Sequence, residues 1–127
     1  MSLQSPLGKA LGQGSAKTGL DHWLVQRSTA IAIVPLGLWF IISMLSLQHG
    51  SYEIVSAWVA EPLNAILLIL LVIALLYHSQ LGLQVIVEDY VGGGLGYLTS
   101  ITLQFIHILL AVAGIYAVVV TSLGAGQ

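Results

Sequence analysis

Three long runs of apolar residues constrain the fold of this chain more than any other feature of its sequence. They cover about residues 28–47, 63–87 and 98–123, and each is near or above the roughly 20 residues that a helix needs to cross a bilayer. Only 6% of the 127 residues are charged, whereas soluble domains carry about a quarter. We therefore predict an all-α integral membrane protein with three transmembrane helices, folded as a single domain over residues 1–127.

The segments around these runs have local signals of their own. Residues 1–20 are rich in glycine and serine and are predicted to form a flexible arm. Tyr52–Ala60 is predicted to be a short amphipathic segment on the membrane surface, and Pro62 suits the first turn of the second span. Pro35 predicts a kink in the first span, and the glycines at 92–94 are predicted to end the second.

The distribution of charge predicts the orientation of the spans. All the basic residues of the chain, Lys9, Lys17 and Arg27, precede the first run. In the loop over residues 48–61 the charged residues are all acidic. Basic residues favour the cytoplasmic side, so we expect a cytoplasmic N-terminus and a periplasmic C-terminus. This orientation puts the turn over residues 88–97 on the same cytoplasmic face as Arg27.

Two compositional features exclude whole classes of function. The chain has no cysteine, which excludes disulfides, a cysteine-held iron–sulfur cluster and a covalently attached haem. It has three lysines and arginines and a net charge of −2, so we expect no nucleic-acid partner.

The stretch from His78 to Tyr90 carries the strongest functional signal. On a helix, His78, Gly82, Val85 and Asp89 share one face, and Tyr90 follows at its end. His78 and Tyr90 would lie about 18 Å apart along the axis. Ionisable groups inside a membrane are costly, so this arrangement of a buried imidazole and a polar helix end indicates function.

His78 has two interpretations. It could be a neutral histidine that hydrogen-bonds to a neighbouring helix, or an axial ligand of a b-type haem, with Gly82 leaving room for the flat macrocycle. His107 in the third span lies at a similar depth and shares a face with Ala111 and Gly114. A haem held by both histidines of this chain and a packing role for His107 therefore both remain open.

The polar residues near the cytoplasmic face also have two interpretations. Arg27 is either a topology signal or the partner of an anion such as a haem propionate. Asp89 and Tyr90 are either a helix end in the headgroup region or a quinone site, where the phenol bonds a carbonyl and the carboxylate handles protons. In another functional class, His78 and Asp89 would form a proton relay in a small transporter subunit.

Two motifs together resemble a known family. The resemblance is to the hydrophobic membrane anchor of succinate dehydrogenase, particularly its alphaproteobacterial members. The motifs of the other anchor of that enzyme, the cytochrome b anchor, are Arg-Pro-x-Ser-Pro-His and Ser-x-x-His-Arg, and they do not occur in this sequence. The resemblance rests on His78-x-x-x-Gly82 followed by Asp89-Tyr90, and on His22-Trp23-x-x-Gln26-Arg27-x-Thr29-Ala30 followed by Pro35-Leu36.

The resemblance implies one haem b shared with the cytochrome b anchor. His78 matches the axial ligand of the haem iron, and the opposite ligand would come from the partner, which lowers the expectation for His107. Tyr90 and its neighbour Asp89 match residues at the ubiquinone head group. Arg27 matches an arginine near the haem propionates.

The implied function is that of an anchor of succinate:ubiquinone oxidoreductase, respiratory complex II of the citric acid cycle, in a bacterial inner membrane. A flavoprotein subunit would oxidise succinate, and an iron–sulfur subunit would carry the electrons to the membrane. The chain itself would carry no succinate-oxidising site. The alternative within this class is an anchor of a quinol:fumarate reductase.

Overall fold

The computed structural model describes residues 17–47 and 51–124, which form four α-helices. They are α1 (Lys17–Ser46), α2 (Tyr52–Ala60), α3 (Pro62–Tyr90) and α4 (Gly93–Gly124). The helices α1, α3 and α4 are long and apolar enough to cross a membrane, which confirms the predicted all-α fold with three spans. Most of the predicted N-terminal arm, residues 1–16, lies outside the described residues.

Helix α1 begins at Lys17, well before the first apolar run, so residues 17–20 of the predicted arm are helical. The helix accommodates the hydroxyl groups at the start of the run, because they bond back to carbonyl oxygens of the preceding turn. Ser28, for example, donates to the carbonyl oxygen of Leu24 at 2.8 Å. Pro35 lies inside α1, and the helix continues through it to Ser46.

Helix α2 forms where the sequence predicts it and is joined tightly to its neighbours. Ser51 caps its first turn by accepting a backbone hydrogen bond at 3.3 Å. Pro62 starts α3, as predicted, and Asn64 in the first turn of α3 donates to the carbonyl oxygen of Trp58 at 2.8 Å. The Trp58 ring also stacks on Trp39 of α1, with centroids 5.5 Å apart.

The turn between α3 and α4 is shorter than the sequence predicts. Helix α3 continues to Tyr90, and α4 begins at Gly93, so that only Gly92 of the three glycines lies outside a helix. Gly93 has a φ of 66°, which is in the left-handed region that favours glycine. At Gly96 a Cβ atom would overlap the carbonyl oxygen of Val91, so the tight turn requires glycine there.

Helix α3 is the centre of the molecule. It packs against α1 on one side and against α4 on another, and within the described residues no Cα atom of α1 comes within 8 Å of α4. Among the described residues, the buried apolar side chains, Leu71, Leu81 and Val87, all belong to α3. The outer helices expose most of their large apolar side chains, as is expected of surfaces that meet lipid or other subunits.

The contacts between the long helices show an antiparallel arrangement, because residue numbers rise along one helix as they fall along the other. Each outer helix contributes two pairs to this pattern. The pairs are Thr29 with His78 and Gln26 with Gly82 between α1 and α3, and His107 with Ser79 and Gly114 with Val72 between α4 and α3.

Candidate functional site

His78 faces the first helix, where Thr29 holds one of its ring nitrogens. The Nδ1 atom lies 3.0 Å from the Thr29 hydroxyl, which itself lies 2.9 Å from the carbonyl oxygen of Gln26 and 3.1 Å from that of Val25. Within the part of the chain that the structure describes, Nε2 of His78 has no hydrogen-bond partner. The imidazole is half-buried and has one nitrogen held and one available.

Gly82 lies one turn from His78 and also faces α1. A Cβ atom at this position would lie 3.7 Å from Nε2 of Gln26, an ordinary van der Waals distance. The shared face that the spacing predicts for His78 and Gly82 is therefore confirmed. Contacts within this chain do not explain why Gly82 lacks a side chain, and its predicted role beside a haem stays a prediction.

Three polar residues on the facing helix, α1, were named above only as part of a motif and were given no role in a site. His22, Gln26 and Thr29 are spaced at i, i+4 and i+7, which places them on one side of α1. Nε2 of His22 is buried and has no hydrogen-bond partner among the residues described. The signal that could have found them is this helical spacing, which continues through the polar segment before the first apolar run.

Arg27 lies deeper than the sequence analysis placed it. The register of α1 against α3 puts Arg27 level with about residue 81, which is about 13 Å along the axis from Tyr90. The guanidinium is exposed and lies 5.5 Å from the ring centroid of Trp23, within the range of a cation–π interaction. Arg27 therefore belongs to the level of His78 rather than to that of Asp89 and Tyr90.

Asp89 and Tyr90 form the last turn of α3, as predicted, and both are exposed, with Tyr90 at 84%. Neither side chain has a hydrogen-bond partner in the described ranges, 17–47 and 51–124. The structure therefore keeps the two ends of the stretch apart, with the imidazole against α1 and the phenol and carboxylate free at the helix end.

His107 is held at both ring nitrogens by its own chain. Nδ1 lies 2.7 Å from the carbonyl oxygen of Leu103, which can only accept, so Nδ1 carries the proton. Nε2 then accepts from the hydroxyl of Ser79 at 3.3 Å. His107 is buried, with 8% of the residue exposed. This geometry favours a packing role for His107 over a haem held by both histidines of the chain. Separately, no group of three metal-binding side chains occurs among the described residues.

A groove of about 590 Å³ with a mixed polar and apolar lining lies between α3 and α4 near their connecting turn. In it the Gln84 amide donates to Glu88 at 2.8 Å. The spacing of Gln80, Gln84 and Glu88 at i, i+4 and i+8 would have indicated its polar side, which was not predicted. The other polar side chains along the groove are those of Tyr97, Ser100 and Gln104.

This chain is similar to known membrane anchor subunits of succinate dehydrogenase. Residues 1–122 match the family described as "Succinate dehydrogenase/Fumarate reductase transmembrane subunit". A succinate dehydrogenase hydrophobic membrane anchor subunit from Rickettsia bellii is 40% identical over 111 residues, which cover 87% of this chain and 89% of that protein. The subunit of the same description from Paracoccus denitrificans is 28% identical over 121 residues, which cover 95% of this chain and 94% of that protein.

Proposed function

This chain belongs to the succinate dehydrogenase/fumarate reductase transmembrane subunit family, and from that membership we propose that it anchors a succinate:ubiquinone oxidoreductase in a bacterial inner membrane. In this proposal it supplies one axial ligand to a haem b and part of a ubiquinone site. Family membership favours this function over a transporter subunit with a proton relay. Because the family includes fumarate reductase subunits, the anchor of a quinol:fumarate reductase is the second candidate.

The observation that carries the haem proposal is the state of His78. Its imidazole lies within an apolar span, Nδ1 is bonded at 3.0 Å, and Nε2 has no partner in the described chain. A metal-ligating histidine commonly has this arrangement, with one nitrogen held by the protein and the other presented to the metal. A b-type haem bound there would supply reversible one-electron chemistry.

The neighbours of His78 suit the same group. Arg27 lies within about one helical turn of His78 in depth, and its exposed guanidinium could pair with a haem propionate. Gly82 leaves the adjacent surface without a side chain. Since both ring nitrogens of His107 are engaged, the opposite axial ligand would come from the cytochrome b anchor.

The quinone proposal rests on Tyr90 and Asp89. Their exposure at the end of α3 leaves the phenol free to donate to a quinone carbonyl and the carboxylate free to pass on a proton. Reduction of a quinone to a quinol takes up two electrons and two protons. In the complex, a flavoprotein subunit would take the electrons from succinate and an iron–sulfur subunit would deliver them, while this chain supplies hydrogen-bonding and proton-handling groups.

The haem proposal is tested by the optical spectrum of the purified membrane complex. We expect a low-spin b-type spectrum that is lost in His78→Ala while the subunits remain associated. Ser79→Ala is the matched control, because Ser79 is the next residue of α3 and bonds to His107 instead. A complex that contains no haem, or an undiminished spectrum in His78→Ala, would contradict the proposal.

The quinone site is tested by comparing two electron acceptors. Tyr90→Phe removes one hydrogen bond, whose loss of about 1.4 kcal/mol corresponds to about a tenfold lower rate of ubiquinone reduction. Succinate oxidation with a soluble dye should be unchanged, because the dye bypasses the membrane site. Tyr97→Phe, an exposed tyrosine at the same end of the molecule, is the control. An unchanged quinone rate in Tyr90→Phe would argue against the site.

A further inference from the structure

We propose that Thr29 is a positioning residue that sets the orientation and the tautomer of His78, so that Nε2 presents its lone pair to the haem iron. This inference rests on the proposed haem ligation. It concerns a residue on α1, a helix that supplies no axial ligand. Thr29 would act on the iron only through the imidazole.

The direction of the hydrogen bonds follows from how many protons each group carries. The Thr29 hydroxyl has one proton, and three atoms lie within 3.1 Å of its oxygen. Two of them, the carbonyl oxygens of Val25 and Gln26, can only accept. If the hydroxyl donates to the helix backbone, its oxygen accepts from Nδ1–H of His78, and every short contact is a hydrogen bond.

The opposite direction leaves the site unsuited to iron. If Thr29 donated its proton to Nδ1, the neutral ring would carry its own proton on Nε2, and Nε2 would have no lone pair for a metal. The contacts of 2.9 and 3.1 Å to the two carbonyl oxygens would then no longer be hydrogen bonds. The bonds to the preceding turn of α1 thus select the tautomer that a ligand requires.

Threonine also fixes where the acceptor lies. A threonine side chain in a helix is restricted in χ1 by its branched Cβ, and its hydroxyl bonds back to a carbonyl three or four residues earlier. The position of the hydroxyl is therefore set by the backbone of α1, and the packing of α1 against α3 brings the hydroxyl next to His78. The bond from Nδ1–H raises the basicity of the ligand and so favours the ferric iron.

The test measures the reduction potential of the haem and the EPR spectrum of its ferric form in the purified complex. Thr29→Val keeps the shape and removes the acceptor, so we expect a higher reduction potential and shifted low-spin g values. Thr29→Ser keeps the hydroxyl and should retain both wild-type values. Ser28→Ala is the matched control, because Ser28 is adjacent and bonds only to its own helix.

Each outcome bears on one proposal. A wild-type complex without haem, or a spectrum unaffected by His78→Ala, overturns the proposed haem ligation on which this inference rests. Suppose that His78→Ala removes the haem, but that the reduction potential and EPR spectrum of the haem are the same in Thr29→Val and in wild type. This result overturns the role of Thr29 alone. Should Thr29→Val not retain haem, Thr29→Cys replaces it, because a thiol is a weaker acceptor of similar size. A raised potential in Thr29→Cys relative to Thr29→Ser supports the proposal, and equal potentials overturn it.

Discussion

His78 and His107 lie within the apolar runs of this chain, and among the described residues only His78 keeps a ring nitrogen without a hydrogen-bond partner. His107 donates from Nδ1 to its own helix and accepts at Nε2 from Ser79, so it cross-links α3 and α4. His78 is held only at Nδ1, by Thr29. A lone pair that is already in a hydrogen bond is not available to a metal. The two residues therefore lie at a similar depth but differ in whether Nε2 is engaged.

At the residue scale, this difference predicts that His107→Ala keeps the haem. We expect the b-type spectrum of the purified complex to be unchanged, because this imidazole is fully engaged inside its own chain. The loss of the hydrogen bond to Ser79 should by itself lower the free energy of unfolding by about 0.6 kcal/mol, the average for a side-chain hydrogen bond between membrane helices.

Thermal unfolding of His107→Ala, Ser79→Ala and the double variant measures this link. A double variant that loses less stability than the sum of the two single losses would show that the two side chains act as a pair. Loss of the haem in an assembled His107→Ala complex would instead revive the interpretation in which both histidines of this chain ligate the iron.

The sequence singles out candidate residues more readily than it predicts the side chains that contact them. His78 is noticeable because ionisable groups are rare in apolar runs, and Tyr90 because it follows a carboxylate at the polar end of such a run. Thr29 and Gln26 do not stand out, since hydroxyl and amide groups are ordinary near the end of a span. Only the register between α1 and α3 brings Thr29 to His78 and places Arg27 at the same depth. That register depends on packing, which a single sequence does not reveal.

At the scale of the helices, the hydropathy pattern predicts the spans but not their ends. Helix α1 starts before its apolar run because polar residues can be helical, and α4 starts inside the glycine cluster. Glycine is expensive in the middle of a helix but suits the first turn when a left-handed residue is needed, as at Gly93. The close approach of Gly96 to Val91 then sets the turn.

This geometry predicts different effects for two neighbouring glycines. Gly96→Ala would force its Cβ against the carbonyl oxygen of Val91, and the shift needed to relieve it should cost about 1–3 kcal/mol. Gly94→Ala meets no atom within 4 Å, so it should be neutral or stabilising by up to about 1 kcal/mol, the helix propensity gained. Thermal unfolding of the two purified complexes makes the comparison. Equal stability would show that the turn adapts without strain.

At the scale of the whole molecule, the three spans form an open arrangement in which α3 separates α1 from α4. The sequence does not predict this order, because apolar residues are spread around each span and no strongly one-sided apolar face indicates a neighbour. In residues 17–47 and 51–124 the buried apolar side chains all lie on α3, so the outer helices have wide surfaces for lipid or for other subunits. An anchor that shares a haem with a second anchor requires such a surface beside His78.

The orientation of this arrangement in the membrane is a prediction from charge. Lys9, Lys17 and Arg27 favour a cytoplasmic N-terminus, and the antiparallel helices then place Tyr52 outside and Gly92 inside. Because the chain has no cysteine, single substitutions can report each side. We expect a membrane-impermeant maleimide to label Tyr52→Cys in intact cells, and Gly92→Cys not to be labelled until the membrane is permeabilised. Labelling of Gly92→Cys in intact cells would invert the topology and place Asp89 and Tyr90 on the side away from a cytoplasmic iron–sulfur subunit.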